Sequence, residues 1–142
     1  MTSQHTALVP QSLVEHAVST STSDDCIAIV RDQTSANLRW ANNTLTTNGV
    51  MHGVSVTIIS FVDVEGGLAT GSVTGSASDQ AQVTALVEAA DAAARAGAPA
   101  EDAHPLVDDV PSADDWDEAP VPTDIGVYAS FAPALGEAFG RA

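Results

Sequence analysis

The residues that could carry chemistry are few and lie far apart in the chain. The four histidines are His5, His16, His52 and His104, and Cys26 is the single cysteine. The chain contains no Cys-x-x-Cys pair, no His-Glu-x-x-His helix, no Gly-x-Ser-x-Gly turn and no phosphate-binding Gly-Lys-Ser/Thr loop. The sequence therefore predicts no catalytic, no cofactor-binding and no metal-ligating residue in this chain.

Each histidine has an ordinary structural explanation. His16 follows Glu15 on the polar side of a predicted helix, which indicates an exposed face. His52 follows the dipeptide Asn48-Gly49, which predicts a surface histidine on a hairpin. His5 belongs to the polar residues at the start of the chain.

His104 lies among acidic residues, and this raises the possibility of a metal site. Loops that bind hard cations place their acidic residues at alternate positions around a glycine turn, and this pattern is absent around His104. A solvated acidic connector is the favoured interpretation.

Composition excludes several classes of partner. Four Lys+Arg stand against 19 Asp+Glu, giving a net charge of −15, and affinity for nucleic acid depends on Lys and Arg. No run of eighteen apolar residues predicts a membrane span, and the first residues lack the pattern of a secretion signal. Cys26 has no partner for a disulfide and is interpreted as a small apolar residue. We expect a cytoplasmic protein that binds neither nucleic acid nor membranes.

The segment 36–75 has the pattern of an antiparallel sheet. The apolar run CIAIV at 26–30 predicts a central strand, followed by a turn at 31–33 and a second strand from Ala36. Asn42-Asn43 predicts a bend, and Asn48-Gly49 and Gly66-Gly67 predict tight turns on either side of the β-branched run 54–62. With a last strand at 68–74, the sheet would have four to five strands.

Two helices are predicted to pack on this sheet. The first starts at Pro10 and has an apolar stripe, and the second is alanine-rich and capped by Ser78 or Asp79, with Gln82 at capping-box spacing. The second helix is expected to end at Gly97 in a left-handed cap. The apolar positions are Leu13, Val14, Ala17 and Val18 in the first helix and Val83, Leu86, Val87, Ala90 and Ala94 in the second.

The rest of the chain divides into a connector and a last helix. Residues 98–122 are rich in proline and acidic residues, and Leu106, Val107, Val110 and Trp116 are expected to attach them to the folded body. A helix capped by Thr123 or Asp124 is then expected over 123–142, with an apolar stripe at Val127, Phe131, Leu135 and Phe139. The predicted organisation is an α+β domain at 1–97, a connector at 98–122 and a C-terminal helix at 123–142 that leads to a second domain.

The order of these elements resembles the N-terminal domain of the TldD/PmbA family of metallopeptidase-related proteins (modulator of DNA gyrase). The resemblance covers about residues 13–139 and consists of RWANNTLTTNG, the GVSV strand at 53–56, the glycine-rich hairpin at 66–71, the alanine-rich helix and an acidic exit. It implies a scaffold domain of a peptide-processing complex, which shapes the chamber and the subunit interface.

The resemblance also implies partners and a cofactor outside this chain. Family members pair as homodimers or heterodimers and cut unstructured peptides, and their zinc lies in a C-terminal domain with a His-Glu-x-x-x-His helix. Zinc is therefore expected in that domain or in a partner subunit, although some family subunits lack the zinc motif. Whether the chain belongs to an active enzyme stays open at this point.

Two further expectations concern the interaction surface. The segments 43–48 and 54–61 are predicted to lie nearest to substrate or partner subunit, because an extended peptide can bind along a sheet edge. The alternative is a free-standing acidic interaction module without a role in proteolysis, which binds its partner through the connector and the Phe131/Phe139 stripe.

Overall fold

The computed structural model describes residues 9–42 and 44–141, and His5 lies outside them. In chain order the elements are α1 (Pro10–Thr20), β1 (Asp25–Ala41), β2 (Thr44–Val64), β3 (Gly67–Ser76), α2 (Gln80–Ala96), a short 3-10 helix (Ile125–Tyr128) and α3 (Phe131–Arg141). The strands form an antiparallel sheet in the order β1-β2-β3. The predicted α+β class is confirmed, but the sheet has three strands among the described residues instead of the expected four to five.

The strand count is lower because two predicted turns lie inside long strands. Residues 31–33 belong to β1, which has 17 residues, and Asn48-Gly49 belongs to β2, which has 21. The chain reverses at Asn42 instead, where φ is 49°. Asparagine tolerates this left-handed conformation, and the ladder of backbone hydrogen bonds between the strands outweighs the weak strand propensity of Asn48 and Gly49.

The second predicted hairpin is confirmed. Gly66 and Gly67 have φ values of 99° and 147°, which residues other than glycine rarely adopt. Val64 pairs directly with Gly67, so the turn is tight and fixes the register of β2 against β3.

One face of the sheet carries the two helices. In β2 the buried residues Val56, Ile58 and Ser60 alternate with less buried neighbours, and Ser60 lies opposite Gly71 in β3. A Cβ atom on Gly71 would collide with the backbone of α2 at Ala90 and Ala94. The helix therefore packs directly against the strand, and glycine is required for this close approach.

The core lies between the helices and this sheet face. Leu13 and Ala17 of α1 are buried, whereas Val18, which was predicted to join them, is 50% exposed. The largest fully buried side chains are those of Ile58, Val56, Val83 and Val87. The apolar spacing of α2 thus predicted its buried face.

The ends of α2 confirm one prediction and correct another. Asp79 accepts a hydrogen bond from the Gln82 amide at 2.9 Å, and the Gln82 side chain accepts one from the Ser78 amide at 2.9 Å, so the predicted cap is present. Gly97 ends the helix, but its φ of −76° is not the expected left-handed cap. Its amide bonds to Ala94 O at 3.1 Å, which closes the last turn without a left-handed residue.

The predicted C-terminal helix consists of two pieces. Asp124 caps the 3-10 helix through the Gly126 amide, and α3 begins only at Phe131. Pro133 explains the break, because it has no N–H for a carbonyl four residues earlier and is tolerated only in the first turn of a helix.

Hydrogen bonds to α1 help to attach the connector. Val107 and Val110 are 82% and 70% exposed, so the expectation that they anchor the connector is wrong. Instead, the Gln11 side chain of α1 donates hydrogen bonds to the carbonyls of Trp116 and Glu118 at 2.7 and 2.9 Å.

The chain divides into two compact units. The packed body comprises the described residues 9–31 and 54–119, and the hairpin unit comprises 32–42, 44–53 and 120–141. Among the described residues every buried one belongs to the packed body. The predicted organisation into 1–97, 98–122 and 123–142 stays a prediction.

Candidate functional site

The outer halves of β1 and β2 form a hairpin within the hairpin unit, which also contains residues 120–141. Thr46 Oγ1 donates to Arg39 O at 3.1 Å, and His52 Nε2 lies 2.6 Å from Asp32 Oδ1. Both contacts join residues of the two strands, which shows that β1 and β2 lie side by side along the hairpin.

One edge of β2 is open within this hairpin. The pairing of β2 with β3 runs from Ser55↔Ser76 to Val64↔Gly67, so residues 44–54 extend beyond the end of β3. No other strand among the described residues pairs with β2 on that side. The backbone amides and carbonyls on an open edge can pair with a further extended chain.

The C-terminal segment contacts β1 within the hairpin unit. The Thr123 amide donates to Thr34 Oγ1 at 2.8 Å, and the Tyr128 hydroxyl donates to Ala36 O at 2.8 Å. These two hydrogen bonds attach the 3-10 helix to β1.

Apolar side chains remain exposed in the same unit. In the hairpin they are Leu45, Val50 and Met51, which are 43–63% exposed, and in the C-terminal segment they are Val121, Ile125, Val127 and Phe131, which are 39–92% exposed. The packed body also exposes apolar side chains, such as Val107 and Val110, so exposure alone does not mark the hairpin unit as an interaction surface.

The two segments predicted to lie nearest to a partner differ in accessibility. Of 43–48, the described residues 44–48 belong to the open edge of β2 and are exposed. The segment 54–61 belongs to the central strand, between β1 and β3, and only its first residue precedes the pairing with β3. An added strand could therefore reach the first segment but not the backbone of most of the second.

The packed body holds a buried carboxylate that sequence reasoning missed. Asp91 of α2 is 2% exposed and accepts hydrogen bonds from Ser60 Oγ at 2.5 Å, Ser21 Oγ at 2.9 Å and both the amide and the hydroxyl of Thr22. Arg95, one turn later, donates to Thr22 O at 2.7 Å. These contacts hold the loop after α1 against α2 and β2.

The hydrogen bonds keep Asp91 ionised. Burial alone raises the pKa of a carboxyl, but the bonds from Ser60, Thr22 and Ser21 outweigh it and lower the pKa of Asp91 to about 2. A group that is ionised at neutral pH with its acceptors occupied is a structural carboxylate, because it is not available to transfer a proton.

The sequence contained a signal for Asp91. It lies four residues after Val87 and three before Ala94, and thus on the buried face of the helix. An acidic residue on an apolar helix face predicts a buried and paired carboxylate.

The remaining residues with chemical potential lie in separate surroundings. His16 is partly buried and bonds to Thr84 Oγ1 at 2.9 Å, so it joins α1 to α2 instead of lying on an exposed polar face. His52 is on the exposed hairpin, as predicted, but the structure adds Asp32 as a partner. His104 is exposed in the connector.

Cys26 packs partly buried against the core as a free thiol. Burial and the nearby charge of Asp91 raise its pKa, although a hydrogen bond with Ser21 opposes them. A thiol with a raised pKa is a poor nucleophile, which supports the interpretation of Cys26 as a small core residue.

Residues 9–42 and 44–141 contain no group of three His, Cys, Asp or Glu side chains arranged to hold a metal ion. In the same part of the chain, no helix is both long and apolar enough to span a membrane.

The described elements define an α+β domain in which two helices pack on one face of a three-stranded antiparallel sheet. Residues 26–97, from the start of β1 to the end of α2, match the family model of PmbA/TldA metallopeptidase domain 1, which is half of the 142 residues. The chain therefore belongs to the PmbA/TldD metallopeptidase family and contains its first domain, which confirms the resemblance. No curated protein and no solved structure matches the chain.

Proposed function

We propose that this chain is a scaffold domain of a PmbA/TldD-type metallopeptidase, which receives an extended peptide or a partner subunit along the open edge of β2. Membership of the family supports a role in peptide processing. The observation that carries the proposed mode of binding is the extension of residues 44–54 of β2 beyond the end of β3.

The chemistry of strand addition suits an unstructured substrate. Main-chain hydrogen bonds along an edge supply affinity without selecting particular side chains. The exposed apolar residues Leu45, Val50 and Met51 provide additional contact area beside this edge. An unstructured peptide can adopt the required extended conformation along its whole length, whereas a folded subunit can pair here only through an edge strand of its own.

The catalytic metal of the family does not fit the described residues. His16 and His52 are engaged with Thr84 and Asp32, and no three potential ligands converge in residues 9–42 and 44–141. In this proposal the zinc comes from a second domain or from a homologous subunit, in a homo- or heterodimer.

Site-specific photo-crosslinking tests the proposal. In the full-length protein, with any partner subunit present, benzoylphenylalanine replaces Thr47 on the open edge or Ala85 on the exposed side of α2. Carboxymethylated casein serves as the unstructured substrate. We expect substrate or subunit crosslinks at position 47 that exceed those at position 85 several-fold.

Equal crosslinking at the two positions, or none at position 47, would refute binding at this edge. The two kinds of crosslinked product differ in mass, so that the experiment also separates the peptide from the subunit as the occupant.

The alternative function is an acidic interaction module without proteolysis. The exposure of Val127 and Phe131, at 59% and 54%, favours it, because these side chains lie on the predicted C-terminal stripe. A coding sequence that continues past residue 142 into a His-Glu-x-x-x-His helix, or co-purification with a zinc-bearing subunit, would decide for the peptidase scaffold.

A further inference from the structure

A depression of about 260 Å³ lies in the packed body between α1, β1 and the connector. Its apolar lining comes mainly from Pro10, Val14 and Val30, and its polar lining from Gln11 and Asp115, with Trp116 at one side. At ~30 Å³ per water molecule, this volume equals roughly eight or nine waters. It is large enough for one extended side chain of a ligand.

The orientation of the Gln11 amide is fixed by its partners. Nε2 lies 2.7 Å from Trp116 O and 2.9 Å from Glu118 O, and a carbonyl oxygen can only accept a hydrogen bond. The other amide atom must therefore be the oxygen. Gln11 Oε1 is buried and receives no hydrogen bond from the described residues. An unsatisfied buried acceptor is unfavourable, so a ligand donor that bonds to Oε1 after a shift of the Gln11 side chain gains binding energy.

The two remaining polar side chains of the lining offer no free donor to the depression. Asp115 contributes a carboxylate to the lining, and the indole N–H of Trp116 is directed to Glu15 Oε1, at 3.4 Å. No Lys, Arg or His lines the depression. An indole ring attracts cations, and Trp is the aromatic residue that does so most strongly.

The packed body around the depression is negatively charged, like the side chain of Asp115. The segments 1–31 and 54–119 contain sixteen acidic residues and two arginines, a net charge of −14 out of the total of −15. A surface with this charge concentrates cationic ligands near it and repels anionic ones.

We propose that this depression binds the side chain of a lysine or arginine residue in a peptide. The alkyl part of the side chain lies against Pro10, Val14 and Val30, and the ammonium or guanidinium group lies near Asp115 and Trp116. A shift of the Gln11 side chain would add Oε1 as a further acceptor. This site lies entirely in the packed body and does not depend on the open edge of β2. Either proposal can fail while the other holds.

NMR titration of the ¹⁵N-labelled chain tests the site. The probes are acetyl-Gly-Lys-Gly-amide and its norleucine analogue, which keeps the alkyl chain but lacks the charge. The indole signal of Trp116 is distinguished from that of Trp40 by the variant Trp116→Phe. We expect a saturable shift of the Trp116 signal with the lysine peptide, at least about threefold weaker binding of the norleucine peptide, and weaker binding at high salt.

A pair of variants with the same charge change locates the site. Asp115→Asn removes a carboxylate that lines the depression, and Asp117→Asn removes an exposed carboxylate two residues later that does not. We expect Asp115→Asn to weaken binding about threefold or more and Asp117→Asn less than twofold. Both carboxylates are exposed, so both variants should fold, and circular dichroism checks this.

Three outcomes would overturn the proposal: no saturable shift with the lysine peptide, equal binding of the norleucine analogue, or equal effects of the two asparagine variants.

Discussion

The packed body and the hairpin unit hold their conformations by different means. The packed body buries Ile58, Val83 and Val87 between helices and sheet, and it surrounds Asp91 with donors. The hairpin unit has no buried residue among those described and depends on strand pairing and on contacts such as Tyr128 to Ala36. Packing makes a conformation sensitive to small changes in side-chain volume, whereas backbone pairing tolerates them.

The two units also differ in charge. The hairpin unit and its terminal residue contain three acidic residues and two arginines, a net charge of −1, against −14 for the rest of the chain. Association through the packed body must overcome repulsion between like charges unless the partner is basic, and association through the hairpin unit meets little repulsion. The two proposed binding modes are therefore expected to differ in their dependence on salt.

The two units should differ most in the stability lost when a glycine is replaced by alanine. Gly71→Ala places a methyl group against the backbone of Ala90 and Ala94, and α2 must move away from β3. We expect a loss of about 3 kcal/mol in the free energy of unfolding, measured by urea denaturation.

Gly53→Ala in the hairpin unit is the matched control, because a Cβ at this position meets nothing within 4 Å. Its effect should stay within about 0.5 kcal/mol. A similar loss for both variants would contradict the contrast between packing and pairing.

Removal of the buried carboxylate should have the next largest effect. Asp91→Ala leaves the buried Ser60 hydroxyl and the Thr22 amide without their acceptor, and we expect a loss of about 2–3 kcal/mol. Glu88→Ala, an exposed position on the same helix, should change stability by less than about 0.5 kcal/mol. If the two alanine variants were equally stable, Asp91 would not hold the loop after α1.

The same carboxylate predicts a dependence on pH. Its pKa falls from about 3.9 in the unfolded chain to about 2 in the folded protein, so the stabilisation is complete above pH 4 and disappears as the pH falls through 2. The difference in unfolding free energy between the wild type and Asp91→Ala should therefore shrink from pH 5 to pH 2. A constant difference over this range would show that folding does not shift the pKa of Asp91, and a difference that grows as the pH falls would show that the folded protein keeps Asp91 protonated.

The smallest expected effect on stability concerns the two predicted turns, Gly66-Gly67 and Asn48-Gly49. Gly66→Ala requires an alanine at a φ of 99° and should cost about 1 kcal/mol. Gly49→Ala lies in a strand, with nothing within 4 Å of the new methyl group, and should be neutral or slightly stabilising. A clear loss of thermal stability in Gly49→Ala would contradict the strand conformation of Gly49 and would support the turn that the sequence predicted at Asn48-Gly49.

Local sequence signals predicted the packed body well. The spacing of Val83, Val87 and Ala94 predicted the buried face of α2, and Asp79 with Gln82 predicted its cap, since both patterns act over a single helical turn. The turn at Gly66-Gly67 was predictable because its φ values favour glycine.

The hairpin unit was predicted less well for a physical reason. Asn42, Asn48 and Gly49 are each suited to a turn, and only the pairing of β1 with β2 on either side of Asn42 selected the first of them. The partners of the candidate site residues were equally hidden, because Asp32 and His52 are 20 residues apart and Ser60 and Asp91 are 31 apart.

The amino-acid sequence by itself determined the α+β class, the helix face and cap of α2, the Gly66-Gly67 turn, the acidic charge and the resemblance to the PmbA/TldD family. These features depend on residue types within a few positions of one another, or on the order of such segments. The tertiary structure alone decided the number of strands, the open edge of β2, the donors around Asp91 and the unsatisfied acceptor of Gln11. They depend on which distant segments meet, and this is set by the packing and pairing of the whole chain.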